Sequence, residues 1–568
     1  MGNLLDDLAL ARRTKLRPIR DVARELGIAD EHLEPHGPVK AKLRLELQEA
    51  LASRPRGKYI VVTAVTPTPL GEGKTVTTIG LSMALRAAGH RALCTLRQPT
   101  LGPVFGVKGG ATGGGQSQIL PPDEINFHLT GDNHAVATAH NLLAALIDNH
   151  LHHGNELGLD PARITWRRTT EISDRALRDV ALDMGGGVSR RSGFDITAAS
   201  EVMAVLGLSV SYRDLRERLG RILAGFGKDG RPVAAQDLRA AGAMAVVLRH
   251  ALKPNLLQAM DGGACLMHAG PFGNIAQGTN SVVADRMAVR LADYTVTEAG
   301  FGADLGFEKF VDLKCPVSGL WPDAAVLVAT VRALKVHSGR FKVSPGRPLP
   351  PELEREDLES LREGASNLRH MLGIVKSAGV PCVVCVNRFP GDTEQEIEAV
   401  LTIARAAGAE NAAVSECHAR GAKGGLDLAR AVVAAAQRPA RPVPLVPLKS
   451  GVEGKIRTLA TKIYGAADVH FEDKARRDLE IIRKFGFDNL SVCMAKTQLS
   501  LSHDPALKGV PTGFVLPIRA IEISAGAGFV YPLCGSIMTM PGLPSHPQAA
   551  DFEIDDAGDI VGAGGAAG

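Results

Sequence analysis

The residues best suited to chemistry lie in the segment Thr66 to Thr75, which reads TPTPLGEGKT. An apolar run precedes the segment and a helical pattern follows it, which is the context of a phosphate-binding loop. Backbone N–H groups of such a loop and the positive end of the helix bind phosphate, a lysine reaches the β and γ phosphates, and a hydroxyl can ligate magnesium. We therefore predict that Lys74 binds phosphate and that Thr75 is a Mg²⁺ ligand.

The phosphate-loop pattern is complete except at its first position. Thr68 stands where the full pattern has a glycine, five residues before Gly73. The alternative interpretation is a glycine turn of the scaffold. The motif predicts that ATP or GTP is used, but does not say for what. The predicted nucleotide-binding residues of the loop are Thr68, Pro69, Leu70, Gly71, Glu72, Gly73, Lys74 and Thr75.

A second glycine-rich segment runs from Arg97 to Gln116 and reads RQPTLGPVFGVKGGATGGGQ. Core elements do not need so many glycines, so we interpret the segment as a loop that approaches a ligand. If the sheet is parallel, the segment begins in the crevice where open α/β sheets bind ligands. Arg97 offers there a planar fork suited to a carboxylate or an acyl phosphate. The alternative is a flexible loop on the phosphate side.

A histidine-containing segment follows and reads NFHLTGDNHAVATAHN. It supplies His128, Asp132, His134 and His140, and a metal site is one hypothesis for them. The spacing of His128 and His134 argues against it, because six residues do not place two side chains on one helix face.

The elements that must position these residues begin with an apolar run rich in valine and isoleucine, Lys58 to Val65. Such a run predicts a strand buried on both faces of a parallel sheet. Helical periodicity follows from Lys74 to Ala88, and Arg91 to Leu96 is a second short strand. Strand, loop, helix and strand together make one βαβ unit.

The rest of the chain alternates strand and helix patterns, which predicts an α/β fold like that of P-loop NTPases, with a doubly wound, mostly parallel sheet. The residues up to about Arg56 are interpreted as helical. Period-two patterns at the end of the chain predict antiparallel strands in a smaller mixed domain. The further strand candidates are Cys265 to His268, Tyr294 to Thr297, Ala325 to Thr330, Pro381 to Asn387, Phe514 to Ile523 and Phe529 to Leu533.

Length predicts two to four domains, and the order of the elements divides the chain into three. At 568 residues the chain is too long for one hydrophobic core. We place a nucleotide- and acyl-phosphate-binding domain at 1–365, a second α/β domain at 366–440 and a C-terminal α+β domain at 449–568. The linker before the last domain is the segment Arg438 to Pro447, which contains four prolines.

Charge and hydropathy limit the partners. The net charge of +4 comes from 65 basic and 61 acidic residues, without a basic block, so we expect no nucleic acid. No apolar run approaches the ~18 residues that a membrane span needs, and the first ten residues do not have the pattern of a signal peptide, so we expect a cytoplasmic protein without a membrane partner. Cys382 and Cys385 are interpreted as buried strand thiols, not as a metal pair.

Six segments in register along the chain resemble the formate–tetrahydrofolate ligases. They are TPTPLGEGKT, RQPTLGPVFGVKGGATGGG, FHLTGD, GPFGNIA at 270–276, EAGFGADLG at 298–306 and MPGLP at 540–544. The resemblance implies that MgATP phosphorylates formate to formyl phosphate, which then formylates N10 of tetrahydrofolate. It also implies K⁺ or NH₄⁺ as activating ions, a homotetramer, and tetrahydrofolate with or without a polyglutamate tail as co-substrate.

The same resemblance assigns roles to single residues. Lys74 would bridge the transferring phosphoryl group, and Arg97 would hold formyl phosphate away from water. Either Asp132 or His128 would take the proton from the attacking folate nitrogen. Phe301 resembles an adenine-stacking residue and Phe389 a wall of the pocket for the nucleotide and pterin rings; core packing is the alternative for both.

Several positions depart from the family pattern. Gln98 and Thr100 replace the residues of REPSLGP, Gln277 replaces a histidine and Gln116 a tyrosine. In SECHARG, His418 takes the place of a tryptophan that stacks on ring systems. These changes predict a wetter and weaker folate pocket. The alternatives are a P-loop ATPase switch, another ATP-dependent ligase of a small carboxylate, and a folate-binding protein without activity.

Overall fold

The computed structural model describes residues 4–106, 111–185, 189–344, 349–535 and 537–562, so part of the second glycine-rich segment lies outside the described residues. Three segments form π-helical turns, at Ala303–Phe307, Phe310–Lys314 and Leu459–Ile463. The α-helices are α1 (Leu4–Arg12), α2 (Ile19–Glu25), α3 (Leu47–Ala50), α4 (Lys74–Ala87), α5 (Leu101–Phe105), α6 (Pro122–Phe127), α7 (Asp132–His152), α8 (Glu201–Leu208), α9 (Tyr212–Arg221), α10 (Ala241–Leu248), α11 (Val282–Leu291), α12 (Cys315–Ser318), α13 (Val331–His337), α14 (Leu358–Ser377), α15 (Glu394–Ala406), α16 (Cys417–Arg420), α17 (Leu426–Ala436), α18 (Val452–Thr458) and α19 (Asp473–Lys484).

The β-strands range from two-residue bridges to the ten residues of β22. They are β1 (Leu33–Pro35), β2 (Ala41–Leu43), β3 (Lys58–Ala64), β4 (Ala92–Leu96), β5 (Gly113–Gly114), β6 (Ser117–Leu120), β7 (Leu159–Ile164), β8 (Arg168–Thr170), β9 (Val180–Asp183), β10 (Ser189–Ser192), β11 (Phe194–Ile196), β12 (Leu223–Gly227), β13 (Pro232–Ala234), β14 (Asn255–Ala259), β15 (Ala264–Met267), β16 (Tyr294–Glu298), β17 (Ala324–Ala329), β18 (Cys382–Asn387), β19 (Asn411–Ser415), β20 (Asp468–Phe471), β21 (Ser491–Val492), β22 (Val515–Ser524), β23 (Phe529–Cys534), β24 (Phe552–Ile554) and β25 (Ile560–Gly562).

The central sheet has the strand order β1-β2-β14-β15-β4-β16-β3-β17-β18-β19, and β6 attaches to β14. From β15 to β19 every neighbouring pair is parallel. Successive residues of β3 enter different cores, since Tyr59 and Val61 pack on one side of the sheet and Ile60 and Val62 on the other. The predicted α/β fold with a mostly parallel, doubly wound sheet is confirmed.

The boundary expected near residue 365 does not separate two sheets. Strands β18 and β19 pair in parallel with β17 and with each other, so they extend the central sheet. Cys382 and Cys385 lie buried in β18 as free thiols. The domain boundaries 1–365, 366–440 and 449–568 remain a prediction.

The segment before Arg56 is helical only in part: it contains α1, α2 and α3, but also the strands β1 and β2, which we did not predict. Leu43 ends the strand β2, which pairs antiparallel with β14. Ala41, Lys42 and Leu43 are all buried in β2, whereas Leu47 begins the helix α3. The pairing of β2 with the distant strand β14 is not visible in the local leucine pattern.

A smaller mixed sheet with the order β20-β22-β23-β21 lies near the C-terminus. Its central pair, β22 and β23, is antiparallel as predicted. A three-stranded antiparallel sheet of β13, β12 and β7 precedes β14, and we did not predict it from the sequence. Within the described ranges, no helix combines the length and the apolar character that crossing a bilayer requires.

Candidate active site

The loop between β3 and α4 has a shape that only glycine permits at two positions. Gly71 and Gly73 have φ values of 74° and 76°, in the left-handed region. A Cβ atom on Gly73 would lie 2.3 Å from Nδ2 of Asn387, at the end of β18. The amide of Asn387 also donates a hydrogen bond of 3.1 Å to the carbonyl oxygen of Glu72. The end of β18 thus supports the loop just before α4 begins.

Two buried side chains anchor the first residue of the loop. Asn367 accepts a hydrogen bond from the Thr66 N–H at 3.0 Å and donates one to the Thr66 hydroxyl at 2.8 Å. Nε2 of His337 donates to the Thr66 carbonyl at 2.8 Å. Burial lowers the pKa of His337 to about 4, so the imidazole is neutral. Asn367 and His337 are far from the loop in sequence, and neither was among the predicted site residues.

Thr68 has a structural function that explains its presence in place of glycine. The carboxylate of Glu72 accepts hydrogen bonds from the Thr68 N–H at 2.8 Å and from its hydroxyl at 3.0 Å. Burial raises the pKa of Glu72, and the charge of Lys74 opposes this shift. The two side chains close the turn that precedes α4.

Lys74 and Thr75 form the first turn of α4, at the carboxyl end of the parallel strands. The ammonium of Lys74 is half-buried and has no hydrogen-bond or ion-pair partner within the described part of the chain. The Thr75 hydroxyl donates a hydrogen bond of 2.9 Å to the carboxylate of Glu298, the last residue of β16. Because β16 is the parallel neighbour of β3, this carboxylate lies beside the loop. Glu298 was not among the predicted site residues, although Glu298 is the first residue of the EAGFGADLG segment.

Arg97 follows directly on β4, the next strand beyond β16. Burial lowers the pKa of its guanidinium, and the carboxylate of Glu298 opposes this shift. A Cβ atom on Gly300 would lie 2.8 Å from Nη2 of Arg97, so the guanidinium packs against the chain that leaves β16. The adjacent strands β4, β16 and β3 therefore bring Arg97, Glu298 and the start of α4 to one edge of the sheet.

Phe301 adopts a backbone conformation that non-glycine residues avoid, with φ of 58°. Its ring packs on Gly273, where a Cβ atom would lie 2.2 Å from Cε2. The chain then folds back so tightly that a Cβ atom on Gly306 would lie 1.6 Å from the carbonyl oxygen of Gly300. Backbone strain of this kind and π-helical turns are frequent at functional sites.

The other two predicted ring-binding residues lie on the opposite side of the loop. Phe389 follows β18, and the guanidinium carbon of Arg332 lies 3.6 Å from the centroid of its ring. His418 is exposed in α16 and its ring lies against Gly114 and Gly115. The carbonyl oxygen of His418 accepts a hydrogen bond of 2.8 Å from the N–H of Gln116.

The two candidates for the base are in different environments. Asp132 is 3% exposed and forms an ion pair of 2.7 Å with the buried ammonium of Lys42. Its second oxygen accepts a hydrogen bond of 2.9 Å from Asn255. His128 is exposed at the end of α6. Its neighbour Leu129 has φ of 37°, a further strained residue in this segment.

The remaining departures from the family pattern do not all face a pocket. Gln277 is fully buried, lies against Gly207, and donates a hydrogen bond of 3.2 Å to the carbonyl oxygen of Asn280. Its effect on a substrate pocket remains a prediction. Gln98 is also buried, whereas Gln116 is exposed.

A histidine metal site finds no support. His140 is buried, bonds with the Ser200 hydroxyl at 2.8 Å and the Arg167 carbonyl at 3.0 Å, and has its pKa lowered by burial to about 4. His128 and His134 are exposed. No group of three or more histidine, cysteine, aspartate or glutamate side chains that could hold a metal ion occurs among the residues that the structure describes.

Comparison with known proteins gives long matches. The family model described as formate–tetrahydrofolate ligase matches residues 5–563. A formate–tetrahydrofolate ligase of Roseiflexus sp. (strain RS-1) is 55% identical over 562 residues, which cover 98% of this chain and 100% of the relative. The relative from Saccharopolyspora erythraea is 55% identical over 98% of this chain and 99% of its own length. The relative from Chloroflexus aurantiacus is 52% identical with the same coverage.

Proposed function

The chain belongs to the formate–tetrahydrofolate ligase family, which joins formate to tetrahydrofolate with ATP, and we propose that it does so through formyl phosphate made at the edge of the sheet beside β3. The observation that carries the proposal is that Thr75 and Arg97 both interact with the carboxylate of Glu298, while Lys74 precedes Thr75 in the first turn of α4. Formate and triphosphate are both anions, so their reaction requires cations held in place between them.

In the first step a formate oxygen attacks the γ-phosphorus of ATP, and the bond to the β-γ bridging oxygen breaks, which gives formyl phosphate and ADP. The ammonium of Lys74, which pairs with no side chain in the described ranges, offsets the charge that develops on the transferred phosphoryl group. Arg97 binds the formate and then the acyl phosphate through its planar fork. Partial burial of Arg97 strengthens this interaction, since less water competes for the guanidinium.

The residues present fit a magnesium ion bound together with the nucleotide. Oxygen ligands suit Mg²⁺, and the Thr75 hydroxyl and the Glu298 carboxylate already lie 2.9 Å apart. Bound Mg²⁺ supplies neutralisation of the phosphate charge and a fixed geometry for in-line transfer. Within this site Glu298 also orients Thr75 and balances the charge of Arg97.

In the second step N10 of tetrahydrofolate attacks the formyl carbon, phosphate leaves, and N10 loses a proton. Asp132 already neutralises the buried Lys42, and removal of its charge would leave that ammonium unpaired. His128 is exposed and does not neutralise a buried charge in the described part of the chain. We therefore favour His128 as the group that takes the proton. Phe301, Phe389 and His418 are the proposed surfaces for the flat rings of the nucleotide and the pterin.

The experiment that tests the proposal is a coupled assay of ADP release with formate and tetrahydrofolate, each omitted in turn. We expect formate-dependent ADP formation and an acyl phosphate that hydroxylamine traps. ADP release that does not need formate would instead indicate an ATPase switch. Equal use of acetate or bicarbonate would indicate a ligase of another carboxylate.

Further properties of the family remain predictions for this chain. They are the homotetramer, activation by K⁺ or NH₄⁺, acceptance of polyglutamylated tetrahydrofolate and a cytoplasmic location. Light scattering of the purified protein measures the first. The assay above measures the ion and polyglutamate dependences directly.

A further inference from the structure

We propose that Arg332 is a positioning residue for ring binding: its guanidinium covers one face of Phe389 and leaves the opposite face for the flat heterocycle of a substrate. The proposal rests on the proposed function, in which Phe389 is a wall of the ring pocket.

The fold places Arg332 between the phosphate loop and Phe389. Arg332 is the second residue of α13, which begins directly after β17. Strand β17 pairs on one side with β3, which leads into the loop, and on the other side with β18, which leads to Phe389. Both strands run parallel to β17, so all three carboxyl ends lie at one edge of the sheet. Arg332 therefore starts at the edge where the nucleotide is expected.

The contact between the two side chains is close. The guanidinium carbon lies 3.6 Å from the ring centroid, which is a stacking distance. The backbone of Phe389 is fixed as well, because its N–H donates a hydrogen bond of 2.8 Å to the carboxylate of Asp392. Arg332 thus covers one face of a half-buried ring whose backbone is held in place, and the proposal assigns the other face to a substrate ring.

The surroundings of Arg332 show that the stack is its main contact. Nε and Nη2 are buried and have no hydrogen-bond acceptor within the described ranges. Burial lowers the pKa of Arg332, and the carboxylates of Asp392, Glu72 and Glu354 oppose this shift through space. A scaffold arginine would normally use these N–H groups, since leaving them unpaired costs free energy. The attraction to the ring and the three carboxylates offset that cost.

The chemistry that Phe389 can recognise is a flat heterocycle, because the free face of an aromatic ring attracts such rings by dispersion and offset stacking. Two substrates carry one, the adenine of ATP and the pterin of tetrahydrofolate. Formate carries none. An arginine that acts through Phe389 must therefore affect a ring-bearing substrate and leave formate unaffected.

The test compares Arg332→Met and Arg332→Lys with the wild type in steady-state kinetics of the complete reaction. Met keeps most of the side-chain length without charge, and Lys keeps the charge without the planar group. We expect KM to rise about tenfold for the substrate that stacks, as is typical for a partly desolvated cation–π contact. The KM of formate and kcat should stay within about twofold. A rise for ATP identifies adenine as the stacked ring, and a rise for tetrahydrofolate identifies the pterin.

A double-mutant cycle separates positioning from general damage. In a Phe389→Leu background, Arg332→Met should add no further change in KM, because the residue acts through the ring. Additive effects would overturn the proposal, as would unchanged KM values for both ring-bearing substrates or a loss confined to kcat. If Arg332→Met does not fold, the same changes in KM are measured with Arg332→Lys.

The exposed Arg340, which pairs with Glu359 and Glu363, supplies the matched control, and Arg340→Lys should change nothing. Failure of this inference is distinguishable from failure of the proposed function. If the wild type lacks formate-dependent ADP release, the function is wrong. If the wild type is active and the Arg332 variants match it, only the role of Arg332 is wrong.

Discussion

At the scale of single residues, Glu298 connects the groups that phosphate chemistry requires. It accepts the hydrogen bond of Thr75 and supports the charge of Arg97. Glu298→Gln keeps an acceptor for the hydroxyl but removes the charge that would hold Mg²⁺.

We expect Glu298→Gln to weaken the apparent affinity for Mg²⁺ at fixed ATP by roughly 10- to 100-fold. A magnesium titration of the ADP-release assay measures this. Glu352→Gln, at an exposed position, is the control. An unchanged magnesium dependence of the Glu298 variant would show that the residue is not a ligand.

His337 gives a pH-dependent prediction at the base of the phosphate loop. Its folded pKa of about 4 lies below the ordinary value of 6.5, so its contribution to stability is complete above pH 6.5 and is lost as the pH falls towards 4. The stability advantage of the wild type over His337→Gln should therefore shrink over this range, by up to about 3 kcal/mol. Thermal unfolding of both proteins between pH 4 and pH 8 measures the difference. A constant difference would mean that His337 does not titrate in this way.

The sequence predicts the cationic residues of the site but not the residues that hold them. Lys74, Thr75 and Arg97 lie in two glycine-rich segments, and the order of residues in these segments predicts their roles. Asn367, His337 and Arg332 act through contacts across the sheet, and their neighbours in sequence form ordinary helices. Nothing in a local pattern distinguishes such residues from helix surface positions.

At the scale of elements, the ion pair between Lys42 and Asp132 joins the strand β2 to the start of α7. Both side chains are almost fully buried, so removal of one partner leaves an uncompensated charge inside the protein. Asp132→Asn should lower the free energy of unfolding by roughly 3–5 kcal/mol. Urea denaturation measures this loss. The double variant Lys42→Met and Asp132→Leu should recover most of it, and an Asp132→Asn protein as stable as the wild type would contradict the prediction.

Strands and helices were predicted correctly where a local sequence pattern, such as a continuous apolar run, is strong. The apolar run of β3, the loop and the helix α4 were placed within one or two residues, because burial on both faces leaves a continuous run. The short strands β1, β2, β7 and β12 were missed. Strands β2, β7 and β12 pair with strands far away in sequence, which the pattern of a few residues does not encode, and β1 pairs only with β2.

At the scale of the whole molecule, the C-terminal segment returns to the start of the second glycine-rich segment. The ring of Phe552 lies 5.9 Å from that of Phe105 in α5 and 5.7 Å from that of Phe127 in α6. The N–H of Gln548 donates a hydrogen bond of 3.0 Å to the carbonyl oxygen of Gly106. The last described residues thus brace two helices that follow Arg97 and precede His128.

Phe552→Ala should lower the free energy of unfolding by about 1–3 kcal/mol, the cost of removing a half-buried aromatic side chain. Because the helix α5 begins four residues after Arg97, the KM of formate should rise while that of ATP changes little. Thermal unfolding and initial rates measure the two effects. Ile554→Ala is the control: Ile554 is 64% exposed, and its substitution should change neither the stability nor the KM of formate. An unaltered formate KM in Phe552→Ala would show that the contacts of Phe552 do not affect the reaction.

The hydrogen bond between Thr75 and Glu298 has a consequence for the form in which nucleotide enters. Any triphosphate at this edge meets a carboxylate whose repulsion is strong in a half-buried site. A nucleotide without a divalent ion is attracted by Lys74 but repelled by the carboxylate of Glu298. When the nucleotide carries a divalent ion, the same carboxylate can bind that ion. We therefore expect the proposed site to bind bare ATP poorly, and excess chelator should release nucleotide while the fold stays intact.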